Sequence, residues 1–449
     1  MSPAARLLAR FQHPAQIVAV AFAAAIAVGT TLLALPVATA PGESTGALTA
    51  LFTATTAVCI TGLATVDTAS HWSPFGQVVI LVLMQAGGLG IMTLATLFAL
   101  LVSGRLGLRA RMLAQAETKA LQGTGLRRVV RNIVLFSLCS EAVVAAVLGL
   151  RLALAYDEPA ARAAYLGIFH AVSAFNNGGL ALWPDSMMRF VADPWVLLPV
   201  ALAVVLGGLG FPVVFELVRA WRRPKTWTVL TRITLGVSAA LLAGGTLLFT
   251  IVEWHNPRTL GPLPDQTKFL AGFFTAVMPR SGGLNAIDIS QMRPESWLAT
   301  DILMFIGAGS AGTGGGIKVT TFGLLAFVMW AELRGEDRVN VGHRRLAGPV
   351  QRQALTIALL SVGLVALGTF VLLSLVPYAL DRVLLEVVSA FGTVGLSTGI
   401  TPHLPPGGQL LLVALMFVGR VGPLTVFSAL ALRERTRRYE LPEERPIVG

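Results

Sequence analysis

Residues 389–399 read SAFGTVGLSTG. Taken alone, the stretch has two readings. It is either a glycine turn after a polar residue, which is commonplace, or an extended strand in which glycine lets successive carbonyl oxygens face one side. Recurrence separates the two. Three other stretches align with it on one glycine: TAVCITGL on Gly62, SAFNNGGL on Gly179 and VMPRSGGL on Gly283, beside SAFGTVGL on Gly395. All four end in Gly-Leu, and the glycines lie 117, 104 and 112 residues apart. Spacing that regular marks a structural repeat.

The composition says what solvent the repeat lives in. Of 449 residues 55% are hydrophobic and 13% charged, and mean hydropathy is +0.73. Such a chain has too little polar surface to cover a water-soluble globule. A hydrocarbon core of roughly 30 Å needs about 20 apolar residues per crossing helix. Eight stretches qualify, at 15–36, 73–103, 129–155, 194–218, 229–254, 297–330, 354–380 and 408–432. Between the members of each pair lies a shorter glycine-marked stretch, at 45–63, 162–180, 265–284 and 381–396. These are too short to cross and return as two helices. A re-entrant helix followed by an extended strand fits, because non-helical backbone at membrane depth needs protein or a water-filled cavity around it. The expected fold is therefore an all-α membrane protein of four helix, re-entrant loop, helix repeats, with eight transmembrane helices around a pseudo-fourfold central pore. The repeats are expected at 1–104, 105–222, 223–340 and 341–449, the last with the C-terminal tail.

Charge orients the chain. Segments 1–14, 104–128, 219–232, 331–353 and 433–449 carry 23 Lys and Arg, against 7 in the stretches that hold the re-entrant loops. By the positive-inside rule both termini are cytoplasmic and the re-entrant loops open outward. The formal net charge of +11 sits in short clusters between apolar runs, which reads as membrane topology and argues against a nucleic-acid partner. The basic segments 104–128 and 331–353 could dock a regulatory protein or anionic lipid. A rival reading of the N-terminus is a signal peptide, with Arg6 and Arg10 ahead of an apolar run ending in Ala38-Thr39-Ala40, but that run exceeds a typical signal core. Cys59 and Cys139 suggest neither a disulfide framework nor a metal site.

Four carbonyl-bearing strands around an axis suit a dehydrating cation, which exchanges water oxygens for backbone carbonyls. The candidate ion-binding residues are Cys59, Ile60, Thr61 and Gly62; Asn176, Asn177, Gly178 and Gly179; Arg280, Ser281, Gly282 and Gly283; and Gly392, Thr393, Val394 and Gly395. Cys59 and Ile60 are expected to pack behind the strands, and Asn176 and Asn177 to brace them. Arg280 must point sideways or outward, to a carboxylate or to carbonyls, or it would repel a permeating cation. Asp67 and Asp288 either concentrate cations at the outer mouth or are ordinary loop acids.

The third repeat carries GAGSAGTGGGIKVTT at 307–321. Glycine costs about 1 kcal/mol per residue in a helix relative to alanine. Six glycines in ten positions (Gly307, Gly309, Gly312, Gly314, Gly315 and Gly316) should therefore break the helix into a loop below the strands, able to obstruct a pore. The same stretch satisfies a dinucleotide fingerprint through Gly307, Gly309 and Gly312 with Glu332 beyond, but has no soluble βαβ context. A Walker A reading fails because Ile317 separates Gly316 from Lys318. Lys318 and Arg420 are cations in apolar segments, and such residues face a cavity or a partner. Arg420 is expected at the pore constriction beside the loop, as a barrier to cation leak; the alternative is pairing with Glu216 or helix-end carbonyls. Glu141 reads as a polar tie between helices in preference to an ion ligand. The six histidines show no metal spacing, and no nucleophile or base set converges, so no enzyme is expected. A secondary active transporter would bring inverted repeats and midplane carboxylates, whereas these repeats run the same way.

Across nearly its whole length the chain resembles the Trk/Ktr/HKT superfamily of potassium transporters. The resemblance rests on TAVCITGL, SAFNNGGL, PRSGGLN, SAFGTVGLSTGITP, GSAGTGGGIKVTT and the arginine of FVGRVGP. With the first repeat starting almost at Met1, the chain is more similar to the eight-span KtrB-type membrane subunits than to the longer TrkH type. The resemblance implies an M1-P-M2 fold, K+ as the transported ion, a homodimer, and control by a cytoplasmic KtrA-like RCK ring that binds ATP or ADP. Sodium stimulates many such transporters. Carried over by position, the filter glycines are Gly62, Gly179, Gly283 and Gly395, the gate is 307–321, and the pore arginine is Arg420. Gly178, Pro279 and Ser281 depart from the usual residues, which leaves a sodium-permeable or weakly selective cation channel of the same fold as the alternative.

Overall fold

The computed structural model describes residues 14–40, 42, 44–103, 125–336, 338–341 and 344–422. The basic segments expected at 1–14 and 433–449, and most of that at 104–128, lie outside the described residues. Among the described residues, fourteen helices of ten or more residues carry the architecture. In the first repeat these are α1 (Pro14–Leu33), α2 (Ala47–Cys59) and α3 (Pro74–Ser103). In the second they are α4 (Gly125–Ala155), α5 (Ala160–Phe175), α6 (Pro194–Leu209) and α7 (Phe211–Ala220). The third has α8 (Val229–Glu253), α9 (Asp265–Val277), α10 (Pro294–Ile306) and α11 (Val319–Leu333). The fourth has α12 (Gly348–Leu375), α13 (Leu380–Gly392) and α14 (Pro406–Val421). A short antiparallel hairpin, β1 (Asn340–Val341) and β2 (Arg344–Arg345), precedes α12.

Each re-entrant stretch thus contains one helix of 13 to 16 residues followed by extended chain: α2, α5, α9 and α13. These helices are sheathed by the long ones and their C-terminal halves are buried almost throughout. Of the described helices α4, α8 and α12 are individually long and apolar enough to cross a membrane, and the bent pair α6 and α7 makes a fourth. Leu150, Leu154, Leu359, Leu367 and Phe370 are exposed on these helices, the inverse of a soluble protein and the expectation for a lipid-facing surface.

The packing closes on itself. Each re-entrant helix contacts the first long helix of its own repeat, and also the helix that follows the re-entrant stretch of the preceding repeat: α5 meets α3, α9 meets α6, α13 meets α10, and α2 meets α14. That cyclic order is what a fourfold arrangement requires, and it places the C-terminal ends of all four re-entrant helices toward one axis.

Two expected spans are broken. The 297–330 stretch ends as a helix at Ile306 and resumes at Val319, as its glycines predict. The 194–218 stretch was expected to be continuous, yet the chain turns by 100° between α6 and α7. Gly210 sits at the turn with φ +89°. Pro212 has no N–H with which to bond the Gly208 carbonyl one turn back. That carbonyl instead accepts from the Gly309 amide (2.8 Å), and the Gly207 carbonyl accepts from the Thr313 amide (3.0 Å). The glycine loop of the third repeat thus caps the broken helix of the second.

Candidate functional site

At the axis, Gly62, Gly179, Gly283 and Gly395 form a ring. A Cβ on Gly62 would lie 2.8 Å from the Gly179 Cα, one on Gly179 3.1 Å from the Gly283 Cα, and one on Gly395 2.9 Å from the Gly62 Cα; one on Gly283 would collide with the Val394 carbonyl. All four have positive φ, between +67° and +97°. No side chain fits and no L-residue favours the backbone, so glycine is dictated twice at each position. The carbonyls of Thr61, Gly178 and Val394 reach the gaps between neighbouring glycines.

The sequence did not announce the residue two positions earlier. Ile60, Asn177, Ser281 and Thr393 all take left-handed backbone, with φ of +56°, +60°, +71° and +48°. This conformation costs an L-residue about 1–2 kcal/mol, more for β-branched Ile and Thr. Left-handed residues at alternate positions, two per strand in four strands, form a common backbone signature. It persists only because the surroundings hold it.

Those surroundings differ by repeat. Thr56 Oγ1 accepts from the Gly62 amide (2.9 Å) and Ser389 Oγ from the Gly395 amide (3.0 Å), each six residues before its glycine. At the equivalent place, Ser173 Oγ donates to the Leu180 carbonyl (2.7 Å), and the third repeat has Val277. Asn176 and Asn177 both make side-chain hydrogen bonds. Asn176 Nδ2 donates to Gln85 Oε1 (2.8 Å) and Glu141 Oε1 (3.0 Å), and Glu141 Oε1 also accepts from Ser137 (2.7 Å) and Gln85 Nε2 (3.1 Å). Glu141 is therefore a tie between α3, α4 and the second strand. With its amide turned to satisfy its neighbours, Asn177 donates to the Val204 and Ala174 carbonyls and to Thr313 Oγ1 (3.2 Å). Cys59 and Ile60 pack out of solvent. Arg280 does turn sideways, but its partner is the Ser238 hydroxyl on α8 (2.8 Å), not a carboxylate or a carbonyl. His170, on α5, accepts through Nε2 from the Leu182 amide (3.1 Å) and stacks on Trp183.

The chain from Gly307 to Lys318 lies directly against the base of this ring. A Cβ on Gly314 would approach Ser281 Oγ to 2.7 Å, one on Gly315 would strike Thr393, and one on Gly316 would lie 3.2 Å from the Gly392 Cα. Gly307 and Gly316 have positive φ. The Arg420 guanidinium donates to the Thr313 carbonyl of the loop and, at 3.1 Å, to the Gly87 carbonyl on α3. Glu216, the alternative partner, accepts from Thr228 and Thr231 instead. Lys318 donates to the Gly314 carbonyl. Both Arg420, on α14, and Lys318, at the end of the loop, thus face backbone oxygens, and neither has an acidic partner among the described residues.

On the other side of the ring is a cavity of about 350 Å³, lined by all four glycines with Asp67, Trp183, Asn285, Ser397 and Thr401. Asp67 is in its wall but is also bonded to the Ala69 and Ser70 amides as a helix cap; Asp288 caps the turn at Ser290 and does not line the cavity. Glu386, buried on α13, accepts from Ser397, Thr398 and Thr401 and so anchors the wall beyond Gly395. Glu141 and Glu386, both buried, are not among the residues that line this cavity.

Comparisons with known proteins place the chain in a family. The model of the TrkH family, described as cation transport protein, matches residues 4–436. The chain is 40% identical over 427 residues to Ktr system potassium uptake protein B of Bacillus subtilis, covering 95% of each chain. It is 37% identical over 435 residues to the protein of that name from Vibrio alginolyticus, covering 97% of this chain and 94% of the relative. It is 35% identical over 442 residues to the potassium/sodium uptake protein NtpJ of Enterococcus hirae, covering 97% of both. Among solved structures, the potassium transporter TrkH from Vibrio parahaemolyticus superposes with a TM-score of 0.76 over 94% of this chain and 86% of that one, at 16% identity. At that identity the likeness carries the fold.

Proposed function

As the chain belongs to the TrkH cation transport family, we propose that it is the membrane subunit of a Ktr-type system that takes up potassium across the cytoplasmic membrane. The observation that carries this reading is the ring of four positive-φ glycines, each two residues after a left-handed residue, at the base of an aqueous-facing cavity. In this reading carbonyls of the strands 59–62, 176–179, 280–283 and 392–395 replace the hydration shell of K+. The 307–321 loop and Arg420 obstruct the path below them. Arg420 and Lys318 add a positive potential that slows leak. The repeats divide at 1–104, 105–222, 223–340 and 341–449, and both termini are cytoplasmic by the charge asymmetry.

The names of the relatives speak of a system, which supports a partner for this chain as well. We take that partner to be a cytoplasmic RCK-type ring that carries the adenine nucleotide, acting on a homodimer of this subunit, with sodium as an activator. The decisive experiment is rubidium and sodium influx into proteoliposomes of the purified chain, alone and with RCK subunits. Rubidium influx blocked by excess potassium and lost in Gly395→Ser is the expected result. Equal rubidium and sodium influx would favour a weakly selective channel, the reading suggested by the potassium/sodium name of the Enterococcus hirae relative. Absence of any cation flux from folded protein with its partner present would overturn the assignment.

A further inference from the structure

The four left-handed residues two positions before the ring glycines are Ile60, Asn177, Ser281 and Thr393. Three of them meet three consecutive residues of the intramembrane loop, in order. Asn177 Nδ2 bonds Thr313 Oγ1 at 3.2 Å. Ser281 Oγ stands 2.7 Å from where a Cβ of Gly314 would lie, and Thr393 is closer still to that of Gly315. Ser281 Oγ also donates to the Gly392 carbonyl (3.4 Å), linking the third strand to the base of the fourth. The fourth residue, Ile60, lies against Gly87 of α3.

A loop that only obstructed the path would need bulk there and no register. This one has the reverse: glycine wherever it meets Ser281 and Thr393, and a hydroxyl where it meets an amide. Strained backbone persists only while its surroundings over-determine it, and for three of the four strands the loop is part of those surroundings. Thr393 Oγ1 has no hydrogen-bond partner among the described residues, so the packed loop is what confines that side chain.

We propose that Asn177, Ser281 and Thr393 are positioning residues through which the loop sets the geometry of the glycine strands, so that loop position governs cation discrimination as well as flux. This deepens the transport reading above and rests on it. By linkage, an ion held in the strands biases the loop as strongly as the loop biases the ion.

The test uses the full chain with two readouts. One is the rubidium-to-sodium influx ratio in proteoliposomes; the other is the difference between potassium and sodium in protecting the purified protein against thermal unfolding, which needs no flux. Gly315→Ala drives a methyl into Thr393. The ratio is expected to fall by roughly fivefold or more, the lower end of ordinary coupling between sites, and the potassium-over-sodium protection to shrink. Gly315→Ala combined with Thr393→Ala should recover most of both. Should Gly315→Ala fail to fold, Ser281→Ala and Thr393→Ser, which remove contact without adding atoms, carry the same expectation. A merely structural role would lower thermal stability equally in both ions. Flux that changes while the ratio and the ion-specific protection stay at wild-type values would overturn the proposal and leave the loop as a plug. A wild-type protein with neither flux nor ion-specific protection would instead remove the transport reading, and this proposal with it.

Discussion

The first and third repeats begin from the same plan and part at one residue. In the first, Gly87 of α3 lies 25 residues after the ring glycine and packs so tightly on α2 that a Cβ would strike the Val58 carbonyl. Gly207 meets the Phe175 carbonyl and Gly419 the Phe391 carbonyl in the same way, and Val58, Phe175 and Phe391 each lie four residues before a ring glycine. In the third repeat the corresponding residue, 24 after Gly283, is Gly307, where α10 stops. Its φ is +64°, and a Cβ there would meet loop carbonyls of Gly315 (2.7 Å) and Ile317 (2.6 Å). Glycine serves close helix packing in the first, second and fourth repeats and helix termination in the third.

That contrast predicts opposite responses to the same substitution. Gly87→Ala or Gly419→Ala forces a methyl against backbone that cannot yield, and overpacking of this kind costs about 1–3 kcal/mol or more. Loss of flux and a lowered thermal midpoint together are expected. Gly307→Ala should instead displace the loop, with flux altered before stability. Gly244→Ala, on α8 with open space around its Cβ, is the control and should gain up to about 1 kcal/mol from helix propensity. A wild-type midpoint and flux in Gly419→Ala would break the comparison.

The loop's tether to the other repeats is the next largest effect. Arg420 joins the Thr313 carbonyl to the Gly87 carbonyl, so Arg420→Ala removes both a charge and a strap. Rubidium influx is expected to rise several-fold, since one charge-assisted hydrogen bond to a carbonyl is worth about 1.5–3 kcal/mol. Arg420→Lys, a single point charge without the fork, should fall between. Influx unchanged in Arg420→Ala would mean that neither contact limits flux.

Much of this was legible in the sequence because it follows from local rules. Long apolar runs had to be helices, four Gly-Leu endings in register had to be one motif repeated, and six glycines in ten residues had to break α10. The sideways turn of Arg280 followed from electrostatics alone, although its Ser238 partner did not. What stayed hidden depends on contacts between repeats. The left-handed residues Ile60 and Thr393 carry β-branched side chains that local preference argues against, and only the surrounding packing explains them. The bend at Gly210 had a signal, Gly followed by Phe-Pro, but a proline one residue past a glycine is readable as a kink only once Gly309 is seen to take the freed carbonyl of Gly208. That Glu141 and Asn176 meet, 35 residues apart, has no sequence marker.

The Glu141 cluster and the hydroxyls of the re-entrant helices sharpen the comparison among strands at smaller magnitude. Glu141→Ala removes the acceptor that Asn176, Gln85 and Ser137 share; Asn176 keeps Gln85 Oε1 and the Val172 carbonyl, while Ser137 and the Gln85 amide lose their short bonds, a cost of about 1–3 kcal/mol. Glu141→Gln keeps an acceptor oxygen and should lose less. Because only the second strand leans on this cluster, the shift in thermal midpoint should exceed that of any single hydroxyl removal in the first or fourth.

The smallest effect tests the difference between the first and third repeats most directly. Thr56→Val gives the first repeat the valine that the third already has at Val277. In the third repeat the Gly283 amide bonds the Met278 carbonyl (3.3 Å) without any side chain; in the first the Gly62 amide has the Thr56 hydroxyl. Thr56→Val keeps the volume and removes one neutral hydrogen bond, so stability should fall by about 1 kcal/mol, with the same for Ser389→Ala. The converse Val277→Thr should gain little, because the Gly283 amide already has its acceptor. If Thr56→Val costs nothing, the Gly62 amide has found a carbonyl as Gly283 does, and the two repeats hold their strands alike. If it costs more than an ordinary hydrogen bond, strand geometry at Ile60 depends on that hydroxyl.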